Sequence, residues 1–181
     1  MEVERLAIPD LLLLRPRVFT DERGRFFECW NRERYREAGI PEAFVQDNIS
    51  VSKKGVLRGL HAQRPPHAQG KLVSVLQGRV FDVAVDVREG SPTYATWVGV
   101  ELSAVEANQL YIPPGFLHGF LALEDDTVFS YKCTAPYQPG AEYSVRWDDP
   151  DLAVSWPITE PELSDRDRVG PRLREQWVVC E

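Results

Sequence analysis

From Phe44 to Cys133 the chain is cut into short runs rich in Val, Phe and Tyr, with Gly or Pro between them. β-Branched and aromatic residues suit a pleated, half-buried surface, and glycine and proline interrupt it. Side chains of a strand alternate between two faces. Phe44 to Ser52 therefore puts Val45, Asp47, Ile49 and Val51 on one face and Phe44, Gln46, Asn48, Ser50 and Ser52 on the other. The polar row is either exposed to solvent or the wall of a wet pocket. Lys53-Lys54-Gly55 reads as a hairpin turn. Val56 to Gln63 and Lys71 to Leu76 read as two antiparallel strands joined by a long loop, because Arg64-Pro65-Pro66 lacks ladder donors. Lys71 to Arg88 gives two strands broken at Gln77-Gly78, with Asp82 facing either solvent or a pocket. Tyr94 to Leu102, Asn108 to Ile112, Gly119 to Leu123 and Thr127 to Cys133 are further strands. The Pro113-Pro114-Gly115-Phe116 turn delivers His118, and Phe129, Tyr131 and Cys133 share a side. Many short strands with such turns predict a mainly β protein, a double-sheet jelly roll or small barrel with a few short helices.

The flanks are less regular. Leu6 to Phe19, interrupted by Pro9 and Pro16, suggests short edge strands. Asp21-Glu22-Arg23-Gly24 is a turn, and Arg25 to Trp30 reads as a strand. Asn31 is placed to cap a helix running to Glu37, ended by Gly39. Toward the end, Leu163-Ser164-Asp165-Arg166-Asp167 forms another turn.

At 181 residues the expectation is one domain spanning 1–181. Such a chain buries roughly 70% of its unfolded surface. A net charge of -7 argues against a nucleic-acid or anionic-membrane partner, so an anionic ligand would need local arginines. Cys29, Cys133 and Cys180 are odd in number and widely spaced, which fits a reducing compartment and gives no zinc spacing. Leu11 to Leu14 is too short for a signal segment or a membrane span, and a cytoplasmic location is expected.

Val56 to Leu76 concentrates the chemistry. His61 ends one strand and Lys71 opens the next, so a base and a cation would face one space. The plain alternative is a hydrogen-bonded imidazole and a solvated lysine at a sheet edge. Gly59-x-His61 and Pro113-x-Gly115-x-x-His118 resemble the two motifs of the cupin jelly roll. Many cupins bind a metal through three histidines and a glutamate. Here Gln63 stands where a second histidine would fall, and Lys71 where the carboxylate would. A protonated lysine offers no lone pair and repels a divalent ion, so no metal is expected. His67 reads as a surface residue. Without a metal the cavity offers His61, Lys71, Asp82, His118, Tyr131 and some arginines. A base on one side of a carbon, a proton donor on the other and a cation at the neighbouring oxygen form a kit for inversion beside a carbonyl.

Ordered motifs along nearly the whole chain resemble the dTDP-4-dehydrorhamnose 3,5-epimerase family, a metal-free branch of the cupins. They include Phe19-Thr20-Asp21-Glu22-Arg23-Gly24, Gln46-Asp47-Asn48, Arg58-Gly59-Leu60-His61-Ala62-Gln63, Gln69-Gly70-Lys71-Leu72-Val73, Asp82-Val83-Ala84-Val85-Asp86, Pro113 to Phe120 and Tyr131-Lys132. The resemblance implies His61 as base, paired with Asp167, with Tyr131 as proton donor and Lys71 steadying the enolate. It puts Arg23, Glu28, Gln46, Asp47, Asn48, Arg58, His118 and Glu142 at nucleotide-sugar contacts, and Tyr137 at the aromatic that stacks on thymine. Arg166 stands where some members have lysine. The implied reaction inverts C3 and C5 of dTDP-4-dehydro-6-deoxy-D-glucose without a cofactor, on the way to rhamnose for lipopolysaccharide or cell-wall polysaccharide. The implied assembly is a homodimer that exchanges N-terminal segments, so that Arg23 and Glu28 serve the partner's site. The rivals are an epimerase acting at C3 or C5 alone in an antibiotic-sugar pathway, a non-catalytic nucleotide-sugar binder, and a metal cupin.

Overall fold

The computed structural model describes residues 1–176, so Cys180 lies outside the described part. The chain opens with β1 (Glu2–Arg5) and β2 (Leu12–Arg15), a hairpin of β3 (Val18–Asp21) and β4 (Gly24–Phe27), and a helix α1 (Arg32–Glu37). β5 (Gln46–Ser52), β6 (Leu57–Gln63), β7 (Lys71–Gln77) and β8 (Arg79–Asp86) follow. Then come β9 (Trp97–Ser103), β10 (Gln109–Ile112), β11 (Phe116–Ala122) and β12 (Thr127–Cys133). The tail adds β13 (Glu142–Ser144) and a one-turn helix α2 (Asp165–Arg168). The strands expected between Phe44 and Cys133 all form, with shifted ends. Asn31 caps α1 by accepting from the Arg34 amide, and Gly39 follows at φ +100°.

Two antiparallel sheets make a β-sandwich. One runs in the order β1-β2-β10-β7-β12-β5, the other β13-β6-β11-β8-β9, and β3-β4 stands as a separate hairpin. Two expectations about pairing fail. β5 and β6 lie in different sheets, so Lys53-Lys54-Gly55 is a crossover between layers, not a hairpin turn. β6 and β7 are likewise in opposite sheets, and so are β7 and β8. Period-two patterning fixes which residues share a face but says nothing about the neighbour across the ladder. β2 is not an edge strand, since it pairs with both β1 and β10. Its leucines are buried on both faces: Leu13 enters the inter-sheet core, while Leu12 and Leu14 pack outward. β4 ends at Phe27, so Glu28 to Trp30 leave the strand. Leu163 to Asp167 becomes the start of α2, capped by Ser164.

The main core fills the space between the sheets with Val73, Val75, Val80, Leu102, Leu110, Phe116, Phe120 and Phe129, among others. A second layer covers the outer face of the six-stranded sheet, where Tyr35 of α1 and Ile40 pack on Leu12, Leu14, Leu72 and Tyr111. Gly59 and Gly119 let β6 and β11 come unusually close. A Cβ on Gly59 would stand 2.5 Å from the Gly119 Cα, and its φ is +138°. The ladder shifts register there, between His118 and Phe120. Such a bulge re-aims side chains, and this one sets His118 opposite His61.

Candidate active site

A cavity of about 500 Å³ is lined by strands of both layers. β6 contributes Arg58 and His61, β7 Lys71, β11 His118 and β12 Tyr131 and Cys133. Three short stretches complete it: Gln46, Asn48 and Ser50 of β5, Tyr137 and Glu142 around β13, and Ser164, Arg166 and Asp167 at α2. His61, Lys71 and Tyr131 thus converge although their strands are not paired in the way the pattern suggested.

His61 Nε2 lies 2.6 Å from Asp167 Oδ1. Asp167 is 4% exposed. An ionised carboxylate only accepts, so Nε2–H donates to it and the ring lone pair is left on Nδ1. Burial pushes the Asp167 carboxyl up, but the His61 and Ser164 bonds outweigh it and hold the group below its ordinary range. Ser164 Oγ accepts from the Asp167 amide, which fixes the turn that presents the carboxylate. A second imidazole sits deeper: His118 Nε2 lies 2.9 and 3.1 Å from the two oxygens of fully buried Asp82. Burial lowers the proton affinity of His118 against the pull of Asp82, and Lys71 lowers it further.

Lys71 is half-buried, and among the described residues no carboxylate forms an ion pair with it. Desolvation lowers its proton affinity, while Cys133, Asp82 and Glu142 oppose that shift from a distance. Burial raises the Tyr131 phenol, countered by Arg58. The inner face of β5 explains its polar row. The Tyr137 amide donates to Gln46 Oε1, Gln46 Nε2 donates to Asn48 Oδ1, and Asn48 Nδ2 donates to the Cys133 sulfur. Ser50 Oγ is buried there with no hydrogen-bond partner among the described residues, ready for a ligand oxygen. The amide row is a pocket wall, and Val45, Ile49 and Val51 face outward, each at least 60% exposed.

Most expected site residues line this cavity: His61, Lys71, Tyr131, Asp167, Gln46, Asn48, Arg58, His118, Tyr137, Glu142 and Arg166. Three do not. Asp47 points outward and pairs with Lys132 at 2.9 Å, as strict alternation from Gln46 and Asn48 requires. Arg23 sits at the tip of the β3–β4 hairpin, bound to Asp21, outside both sheets. Glu28 pairs with Arg34 of α1. Gln63 turns away from the cavity to hold loops, donating to the His67 and Pro136 carbonyls and accepting from the Gln138 amide. His67 is exposed. Gln69, Ser50 and Ser164 also line the cavity and carried no sequence signal beyond their neighbours. Asp82, left open between solvent and pocket, is inward. No group of three or more His, Cys, Asp or Glu among the described residues is arranged to hold a metal ion.

Comparison with known proteins puts this cavity, set between the two layers of a β-sandwich, in a class of epimerases that work on nucleotide-linked sugars. Residues 5–175 match the family model described as dTDP-4-dehydrorhamnose 3,5-epimerase. A curated relative of that name from Salmonella typhimurium is 53% identical, with all of each chain covered. A crystal structure of dTDP-6-deoxy-D-glucose-3,5-epimerase from Legionella pneumophila, in complex with dTDP-4-keto-L-rhamnose, superposes with a TM-score of 0.92. It is 49% identical and covers 96% of this chain and 93% of its own. A 4-keto-6-deoxy sugar epimerase from the novobiocin gene cluster of Streptomyces spheroides superposes equally well, with a TM-score of 0.92, at 39% identity over 97% of this chain and 88% of its own. The chain belongs to the dTDP-4-dehydrorhamnose 3,5-epimerase family.

Proposed function

We propose that the protein inverts C3 and C5 of dTDP-4-dehydro-6-deoxy-D-glucose to give dTDP-4-dehydro-L-rhamnose. The observation that carries this reading is the convergence on one cavity of the 2.6 Å His61–Asp167 pair, the Lys71 side chain with no ion-pair partner among the described residues, and the Tyr131 phenol. Both carbons flank the C4 ketone, which acidifies their hydrogens. His61 removes the proton from one face, with Asp167 steadying the imidazolium. The electron pair moves onto the ketone oxygen, and Lys71 neutralises the enolate. Tyr131 then returns a proton to the opposite face; His61 gives its proton to solvent and Tyr131 regains one from it, and the reset groups act on the second carbon after the sugar turns. A positioned base supplies about 10²–10⁴-fold. Stabilising the oxyanion adds roughly 10²–10³-fold. No hydride leaves, so the balance needs no redox cofactor, and no metal is invoked.

Arg58 takes the diphosphate, and Tyr137 stacks on the thymine. Closer identity to the 3,5-epimerases, 53% and 49%, than to a 3'-monoepimerase from Streptomyces bikiniensis, 38%, supports action at both carbons over one. We further propose one cytoplasmic domain over 1–181 that acts as a homodimer, with the β3–β4 hairpin carrying Arg23 to the partner's cavity and Glu28 following it. The hairpin's exposed Phe19 and Phe26, the latter 71% accessible, support such an arm. Its product would feed lipopolysaccharide or cell-wall polysaccharide. Incubation of the purified protein with the 4-keto sugar in heavy water is expected to place deuterium at C3 and C5. Label at one carbon alone means a single-position epimerase, and label at neither rejects the enzyme reading.

A further inference from the structure

Three residues at the rim of the cavity share one carboxylate oxygen. Glu142 Oε2 accepts from the Tyr137 hydroxyl at 2.6 Å and from Arg166 Nη1 at 2.6 Å. Tyr137 follows β12 of the six-stranded sheet. Glu142 opens β13, the strand that sets Ser144 opposite His61 in the other sheet. Arg166 lies on α2, one residue before Asp167. One oxygen therefore joins the loop at the nucleotide side of the cavity to the turn that carries the His61 partner. Glu142 is ionised in this role: burial pushes its carboxyl up, and the bonds from Arg166 and Tyr137 more than reverse that.

α2 has four residues, too few to be held by its own hydrogen bonds. Its direction is set by tethers: the Ser164 cap, the Asp167–His61 bond and the Arg166–Glu142 pair. The last is the tether that reaches across to the recognition side. We propose that Glu142 is a positioning residue, fastening α2 to Tyr137 so that a nucleotide lying on Tyr137 fixes the Asp167–His61 alignment. This rests on the epimerase reading above and adds a role for the nucleotide: binding energy far from the sugar is realised in turnover as well as in affinity.

The test separates kcat from affinity. Tyr137→Phe keeps the ring and removes the hydroxyl, which bonds Glu142 and lies beside Arg166, at a half-exposed site where folding is not at risk. Glu142→Gln weakens both bonds. Turnover of the 4-keto sugar and calorimetric binding of dTDP are measured for each. Each variant is expected to lose about tenfold in kcat with dTDP affinity held within about twofold. The double variant is expected to lose no more than either single, because both break one link. A fall in kcat with affinity kept and no additivity supports the clasp; any other pattern in an active background overturns it. A wild-type protein that fails to turn over the sugar removes the epimerase reading and the clasp together, whereas active wild type with indifferent variants removes the clasp alone.

Discussion

Asp167 shows how one residue links chemistry to folding. Its carboxylate holds the His61 Nε2 proton, so Asp167→Asn keeps the shape, removes the charge and lets the amide dictate the other tautomer. Turnover is expected to fall about 10²–10⁴-fold with dTDP affinity little changed, read from steady-state rates and calorimetry. The same group has a stability signature. Its folded pKa is depressed from 3.8, so the unfolded chain binds its proton more readily. Its contribution is therefore present above the unfolded value and lost as pH falls through the folded one. The thermal midpoint of the wild type should drop as pH falls from the unfolded value of 3.8 through the lower folded one, and that of Asp167→Asn should drop less steeply. At this scale the sequence was readable wherever alternation alone decides the face. Tyr131 inward and Asp47 opposite Gln46 and Asn48 both follow from period two, whereas alternation left Asp82 open and its burial decides it. The Asp167–His61 bond does not, since 106 residues separate the pair and only the family resemblance suggested it.

Among the elements, the β6–β11 junction is where backbone geometry sets the site. Gly59 and Gly119 meet at a distance that admits no Cβ, and the register shift beside them puts His61 opposite His118. Gly59→Ala would combine a left-handed-region backbone with a 2.5 Å clash against Gly119. It is expected to cost about 3 kcal/mol or more, measured as a lower urea midpoint at unchanged slope, and to abolish turnover in whatever folds. Gly90→Ala is the comparison, because nothing lies within 4 Å of the Cβ it would add. Its positive φ still costs something, but the loss should be smaller and the activity should survive. β5 teaches the converse lesson. Its apolar residues face outward and its amides inward, so a reading that sends apolar residues to the core would have turned the strand over. The pattern specifies two faces; what each face meets is decided by the cavity and by the surface beyond.

For the whole molecule, which sheet a strand joins is a property of long-range packing. β5 to β8 are successive in the chain and alternate between the two layers, so no turn among them closes a hairpin. Local turn residues such as Lys53-Lys54-Gly55 cannot distinguish a hairpin from a layer crossing, and that part of the fold was not legible. The placement of Arg23 is a whole-molecule matter of the same kind. Within one chain it lies outside the cavity, on a hairpin that Arg25 fastens to the Ala104 and Val105 carbonyls. If this hairpin completes the cavity of a second copy, a subunit lacking Arg23 and a subunit lacking His61 are defective for different reasons. Arg23→Ala spoils the partner's site and leaves its own intact; His61→Asn spoils its own and leaves the partner's intact. In a mixed dimer, the His61→Asn subunit lends a sound hairpin to the subunit whose His61 is sound, and one complete site results. Each variant alone should be weakly active, and the co-expressed pair should recover up to about half of the wild-type rate per mixed dimer, since one of two sites is whole. Arg23 acting within its own chain predicts the opposite. Each mixed dimer would then hold one site without Arg23 and one without His61, and mixing would recover nothing beyond the average of the two variants.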